Sequence, residues 1–180
     1  MKFLPTAVDG AWIIEPQFKK DDRGLFGRIW DSEEFSAHGL SMNFVQCNNS
    51  VCWRKGTLRG LHWQKEPFGE TKLIRCIQGS VYDVVADVRP HSPTFGKYAG
   101  VELTANNRLW FYVPSGCAHG YLALEDNSEV LYAVTAPYTD HAEGGIRWND
   151  PLFNIEWPTL DDMGQIILSQ KDRSWRDFTI

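Results

Sequence analysis

A histidine, an arginine and two glycines crowd into the run Gly56-Thr57-Leu58-Arg59-Gly60-Leu61-His62-Trp63-Gln64, which otherwise reads as β-strand. Histidine exchanges protons near neutral pH, so His62 is a candidate base. Arginine stays charged and grips phosphate or carboxylate oxygens, so Arg59 is a candidate anion anchor. Glycine in a strand lets the backbone come close to a ligand. Packing alone does not require this combination. A site that holds an anionic substrate and moves its protons does.

The elements that position such a site read as mostly β. Leu73 to Ile77 is apolar, Gln78-Gly79-Ser80 is a turn, and Val81 to Val88 is β-branched. Tyr98 to Leu103, Leu109 to Val113, Tyr121 to Leu124 and Val130 to Val134 follow, divided by Asn- and Gly-containing turns. This spacing predicts a series of hairpins in an all-β sandwich or barrel. Helix is sparse. Asp31-Ser32-Glu33-Glu34-Phe35 predicts one short helix, capped by Asp31 or Ser32, and a second is expected near Leu160 to Gln165.

With 180 residues and no low-complexity linker, the chain reads as one domain over residues 1–180. Eight tryptophans and ten phenylalanines suggest a packed β core, an apolar pocket, or both. A formal charge of −5 without a basic stripe argues against a nucleic-acid partner. Any phosphate must then meet a few placed cations. Cys47, Cys52, Cys76 and Cys117 have neither zinc-type spacing nor a disulfide framework. They read as buried free thiols of a reducing cytoplasm. No apolar run approaches the ~20 residues of a membrane span.

Eight separate segments, in order and at fitting spacings, carry a resemblance. They are Asp22-Arg23-Gly24, Val45-Gln46-Cys47-Asn48, Leu58-Arg59-Gly60-Leu61-His62, Lys72-Leu73-Ile74-Arg75, Ser92-Pro93-Thr94-Phe95-Gly96, Ala118-His119-Gly120, Trp148-Asn149-Asp150-Pro151 and Leu168-Ser169-Gln170-Lys171-Asp172. From Ile13 to about Trp175 the chain resembles the dTDP-4-dehydrorhamnose 3,5-epimerases and related nucleotide-sugar epimerases. The resemblance implies a cupin-type jelly roll (a double-stranded β-helix with a few short helices), a homodimer, and epimerisation without metal or redox cofactor. The implied substrate is a 4-keto-6-deoxyhexose on a nucleoside diphosphate. A base removes a proton beside the ketone, an enolate forms, and an acid returns a proton to the opposite face.

The roles come with the resemblance. His62 is the implied base and Asp172 its orienting partner, although from residue type alone Asp172 passes for a surface charge. Tyr132 is the implied proton donor and otherwise an ordinary inward strand aromatic. Lys72 would offset charge on the ketone oxygen, and His119 would hydrogen-bond the sugar or line the pocket. Arg23 and Arg59 resemble diphosphate clamps, Gln46 and Asn48 nucleotide contacts, and Phe26 and Tyr138 aromatic walls for the base.

Three departures stand out. Arg28 replaces a common Glu, Cys47 a common Asp, and Glu70-Thr71 a common Gln-Gly pair before Lys72. Arg28 reverses a charge expected to meet the nucleotide, so CDP-linked substrates and inversion of a single carbon stay open. Two other classes are weighed. A metal-dependent cupin needs converging histidines, but His62 lacks a neighbouring second histidine and His38, His91 and His141 fall in apparent loops or helix. A non-catalytic binding module needs no base–acid pair.

Overall fold

The computed structural model describes residues 1–40, 43–160 and 165–179. In chain order the strands are β1 (Lys2–Pro5), β2 (Trp12–Glu15), β3 (Phe18–Asp21), β4 (Gly24–Gly27), β5 (Gln46–Cys52), β6 (Leu58–Gln64) and β7 (Lys72–Gln78). They continue with β8 (Ser80–Asp87), β9 (Tyr98–Thr104), β10 (Trp110–Val113), β11 (Cys117–Ala123), β12 (Ser128–Val134) and β13 (Glu143–Gly145). Helix α1 spans Ser32–Ala37 and α2 Gln170–Ser174.

Two antiparallel sheets face each other in a jelly roll. One runs β1-β2-β10-β7-β12-β5 and the other β13-β6-β11-β8-β9. Strands β3 and β4 form a separate hairpin. The core fills the space between the sheets: Ile74, Cys76, Phe111 and Val113 from the larger meet Val81, Val85, Leu103 and Tyr121 from the smaller. Such two-sided burial suits the β-branched run of β8.

The strand positions follow the turn signals, but the pairing does not. The expected hairpins β7–β8, β9–β10 and β11–β12 are instead crossings, each leaving one sheet for the other. A turn residue marks where a strand ends without saying whether the chain doubles back or turns a corner. At the first corner Gly79 has φ +68°, and a Cβ there would lie 2.7 Å from Ser128 Oγ, so a side chain is excluded. The crossings matter for function, because they put β6 and β11 opposite β7 and β12.

Helix α1 forms where expected. Asp31 caps it by accepting hydrogen bonds from the Glu33 and Glu34 amides. The helix expected near Leu160 to Gln165 falls largely on residues 161–164, outside the described residues. Helix α2 was not foreseen from the sequence; Ser169 caps it, accepting from the Asp172 amide. Among the described residues no helix is long and apolar enough to cross a membrane.

Candidate active site

Strand β6 carries Arg59 and His62, and β11 lies antiparallel to it with His119 directly opposite His62. The close approach of these strands explains one of the two glycines. A Cβ on Gly60 would come within 2.6 Å of the Gly120 Cα and the His119 carbonyl oxygen. Gly56 makes room for the C-terminal segment instead, since its Cβ would lie 2.8 Å from the Gln165 carbonyl oxygen. Both glycines thus admit the chain's own backbone, not a ligand as their position first suggests.

That C-terminal segment brings in a residue 110 positions away from His62. The Leu58 amide donates to the Ile167 carbonyl and the Ile167 amide to the Gly56 carbonyl, fastening the segment beside β6. Helix α2 follows and presents Asp172, which is 5 % exposed. Asp172 Oδ1 lies 2.5 Å from His62 Nε2, and Ser169 Oγ donates to Asp172 Oδ2 at 2.9 Å. Burial pushes the Asp172 carboxyl upward, but hydrogen bonds from His62, Ser169 and the Gly60 amide outweigh it and hold the group below the usual carboxylate range. An ionised carboxylate only accepts, so His62 donates from Nε2. In the neutral ring the lone pair is therefore on Nδ1, the atom able to take a proton. Glu143 Oε1 lies 4.0 Å from that nitrogen.

Lys72 and Tyr132 come from the opposite sheet, on adjacent strands β7 and β12. His62, Lys72 and Tyr132 line two adjoining cavities. The larger, of about 540 Å³, is also lined by Arg59, His119, Lys171 and Asp172. The smaller, of about 340 Å³, adds Gln46, Asn48, Glu70, Tyr138 and Glu143. Burial, then the charge of Glu70, raise the Tyr132 phenol above its ordinary value, with Arg59 pulling the other way. Such a phenol keeps its proton at neutral pH, the state a proton donor needs. The arrangement is a proton acceptor on one sheet, a proton-bearing phenol on the other, and an ammonium that lines the same cavities from the strand next to the phenol's. It can remove a proton from one face of a bound ring and return one to the other.

The profile of the dTDP-4-dehydrorhamnose 3,5-epimerase family matches residues 5–179. This chain belongs to that family. Its similarity to the dTDP-4-dehydrorhamnose 3,5-epimerase of Methanothermobacter thermautotrophicus is 44% identity, over 97% of this chain and 93% of that one. The crystal structure of the Elizabethkingia anophelis dTDP-4-dehydrorhamnose 3,5-epimerase superposes with a TM-score of 0.94 at 39% identity, covering 99% of this chain and 96% of that one. A 3'-monoepimerase from Streptomyces bikiniensis, in complex with dTDP-quinovose, gives a TM-score of 0.87 at 32% identity, covering 97% and 86%.

Of the residues singled out in this epimerase-family sequence, His62, Lys72, Arg59, His119, Tyr132, Asp172, Gln46, Asn48 and Tyr138 all line the two cavities. Arg23, Phe26 and Arg28 line neither. Arg23 and Phe26 lie on the β3–β4 hairpin, where Phe26 is 80% exposed and Arg23 is paired with Asp21 at 2.6 Å. Arg28 pairs with Asp31 at 2.8 Å, so its charge is engaged locally.

Four cavity or supporting residues escape a sequence reading. Glu143 accepts from Tyr138 and Lys171, and no motif marks it. Lys171 was visible only as the neighbour of Asp172. Asp83 is fully buried and accepts from His119 Nε2 at 2.7 Å. Gln64 takes a hydrogen bond from the Thr139 amide at 2.5 Å and donates to the Pro137 carbonyl at 3.1 Å, so it anchors the loop that carries Tyr138. Among the described residues no group of three or more His, Cys, Asp or Glu side chains is placed to hold a metal ion. All four cysteines are free thiols, and Cys52, Cys76 and Cys117 are buried, but Cys47 is exposed, contrary to expectation, because it lies near the start of the edge strand β5.

Proposed function

We propose that this chain inverts C3 and C5 of a nucleoside-diphosphate-linked 4-keto-6-deoxyhexose, converting dTDP-4-dehydro-6-deoxyglucose to dTDP-4-dehydrorhamnose. The observation that carries the reading is the opposition of His62, oriented by Asp172, to Tyr132 across cavities that both residues share with Lys72. His62 Nδ1 takes the proton beside the ketone. Lys72 offsets charge on the enolate oxygen. Tyr132 returns a proton to the other face. Arg59 holds the diphosphate, while Gln46, Asn48 and Tyr138 meet the nucleotide, and His119 meets the sugar.

The exposed hairpin β3–β4 completes the reading only in a dimer. Arg23 and Phe26 line no cavity with His62 in their own chain, so they reach a nucleotide from a second copy. The likeness to a 3'-monoepimerase supports a second reading, inversion of a single carbon by the same residues.

The test is exchange in deuterated water with a panel of dTDP-, CDP-, UDP- and GDP-linked 4-keto-6-deoxy sugars. Deuterium is expected at C3 and C5 of the dTDP sugar; label at one carbon alone selects the second reading. Absence of exchange in every sugar would overturn both.

A further inference from the structure

Glu70 lies just before β7 and faces the reaction site. Its Oε1 lies 3.1 Å from Lys72 Nζ, and the two side chains are only 11% and 10% exposed. The carboxylate lines the smaller cavity with His62, Tyr132 and Glu143.

A carboxylate here works against the chemistry proposed above. It offsets part of the Lys72 charge that would meet the enolate oxygen, and it raises the Tyr132 phenol. What it adds is an anionic acceptor beside the ammonium. That matters because the two sides of a 4-keto-6-deoxyhexose differ at the carbons flanking the ketone. C3 carries a hydroxyl, a hydrogen-bond donor. C5 carries a methyl group, which donates nothing and would desolvate the carboxylate. With the ketone oxygen on Lys72, an acceptor 3.1 Å from Nζ is within reach of the hydroxyl on the adjacent carbon.

We infer that Glu70 is a specificity-determining residue that accepts a hydrogen bond from the C3 hydroxyl and so fixes which edge of the ring faces Lys72. This rests on the epimerase reading of the same site. A hydrogen bond to a charged group is strong enough for the site to prefer a 3-hydroxy sugar over its 3-deoxy analogue on the order of tenfold to a hundredfold.

The experiment compares two dTDP-linked substrates, the 4-keto-6-deoxyhexose and the 4-keto-3,6-dideoxyhexose, by initial rates of deuterium uptake at C5. The wild-type chain is expected to favour the 3-hydroxy sugar on the order of tenfold or more in kcat/KM. Glu70→Ala is expected to bring the ratio near one, and Glu70→Gln, which keeps a neutral acceptor, to leave it in between. A purely structural role would slow both substrates alike and leave the ratio unmoved, which overturns the inference. Thermal denaturation of both variants monitors folding, and Glu70→Gln alone must still lower the ratio. Wild-type protein that labels neither sugar sinks the epimerase reading itself. Wild-type discrimination that survives intact in Glu70→Ala sinks only the role of Glu70.

Discussion

His62 and His119 are register partners on β6 and β11, and each ring is held by a buried carboxylate whose protonation is biased in the opposite direction. Asp172 has three donors and stays below the usual carboxylate range. Asp83 is pushed up by burial, with His119 and Lys72 offsetting this only in part, and its Oδ2 has no partner among the described residues. The well hydrogen-bonded pair therefore orients a base firmly. The poorly satisfied pair fixes a ring that lines the cavity.

Asp172→Asn tests the first pair. The amide can turn its NH2 toward His62 and favour the wrong tautomer, leaving Nδ1 protonated. Solvent exchange of the sugar is expected to fall on the order of 10²- to 10⁴-fold. Binding of dTDP, followed by calorimetry, should change little, because Asp172 faces His62, Ser169 and Gly60. A fall of less than about tenfold would remove Asp172 from the proton-transfer step.

Tyr132→Phe separates the two halves of the reaction. With the phenol gone, His62 still removes and returns a proton on its own face, so deuterium can enter without inversion. Product formation should drop on the order of 10²-fold or more while some label is retained. Inversion at the wild-type rate would assign the donor elsewhere in the cavity.

Gly145→Ala reaches the site through packing. Gly145 pairs with His62 in the β13–β6 register, and a Cβ there would lie 2.0 Å from the Trp175 ring. Trp175 follows α2 directly and stands edge-on to His62 at 6.1 Å between centroids. Forcing that ring away should cost about 1–3 kcal/mol of stability and shift α2, and Asp172 with it. Activity is expected to fall more than dTDP affinity, measured on protein confirmed folded by circular dichroism.

The reach of the sequence follows from what each signal encodes. Strand positions were legible because turn residues and β-branched runs are local. Pairing was not, since Gly79 looks the same at a hairpin and at a corner between sheets. His62 stood out because arginine and glycines surround it, whereas Asp172 needed the resemblance: nothing local distinguishes it from Lys171 and Arg173. Glu143 and Asp83 are defined wholly by partners on other strands. Arg23 and Phe26 were read as a diphosphate clamp and an aromatic wall, yet they lie on the exposed β3–β4 hairpin and line neither cavity with His62.

Arg23→Ala tests whether the hairpin reaches a second chain. If the hairpin serves a neighbouring copy, KM for the dTDP sugar should rise about tenfold with kcat nearly unchanged, the signature of lost uniform binding. Light scattering should report a dimer for both proteins. A monomer with wild-type KM in the variant would leave the hairpin without a role in binding.

The acid limb of stability rests on Asp87. It is fully buried and accepts from Arg89, Ser92 and Thr94. Burial pushes its carboxyl up, but those donors prevail and bring it down to about 2. In the unfolded chain it ionises near ~3.9. Because the folded value is the lower one, the stabilisation is complete above about pH 5 and is lost as pH falls through 4 toward 2. The difference corresponds to roughly 2–3 kcal/mol. Asp87→Asn should therefore unfold at lower urea concentration at pH 7, with the gap to wild type closing by about that amount near pH 2. A gap that stays constant across this range would mean that Asp87 contributes through packing and not through its charge.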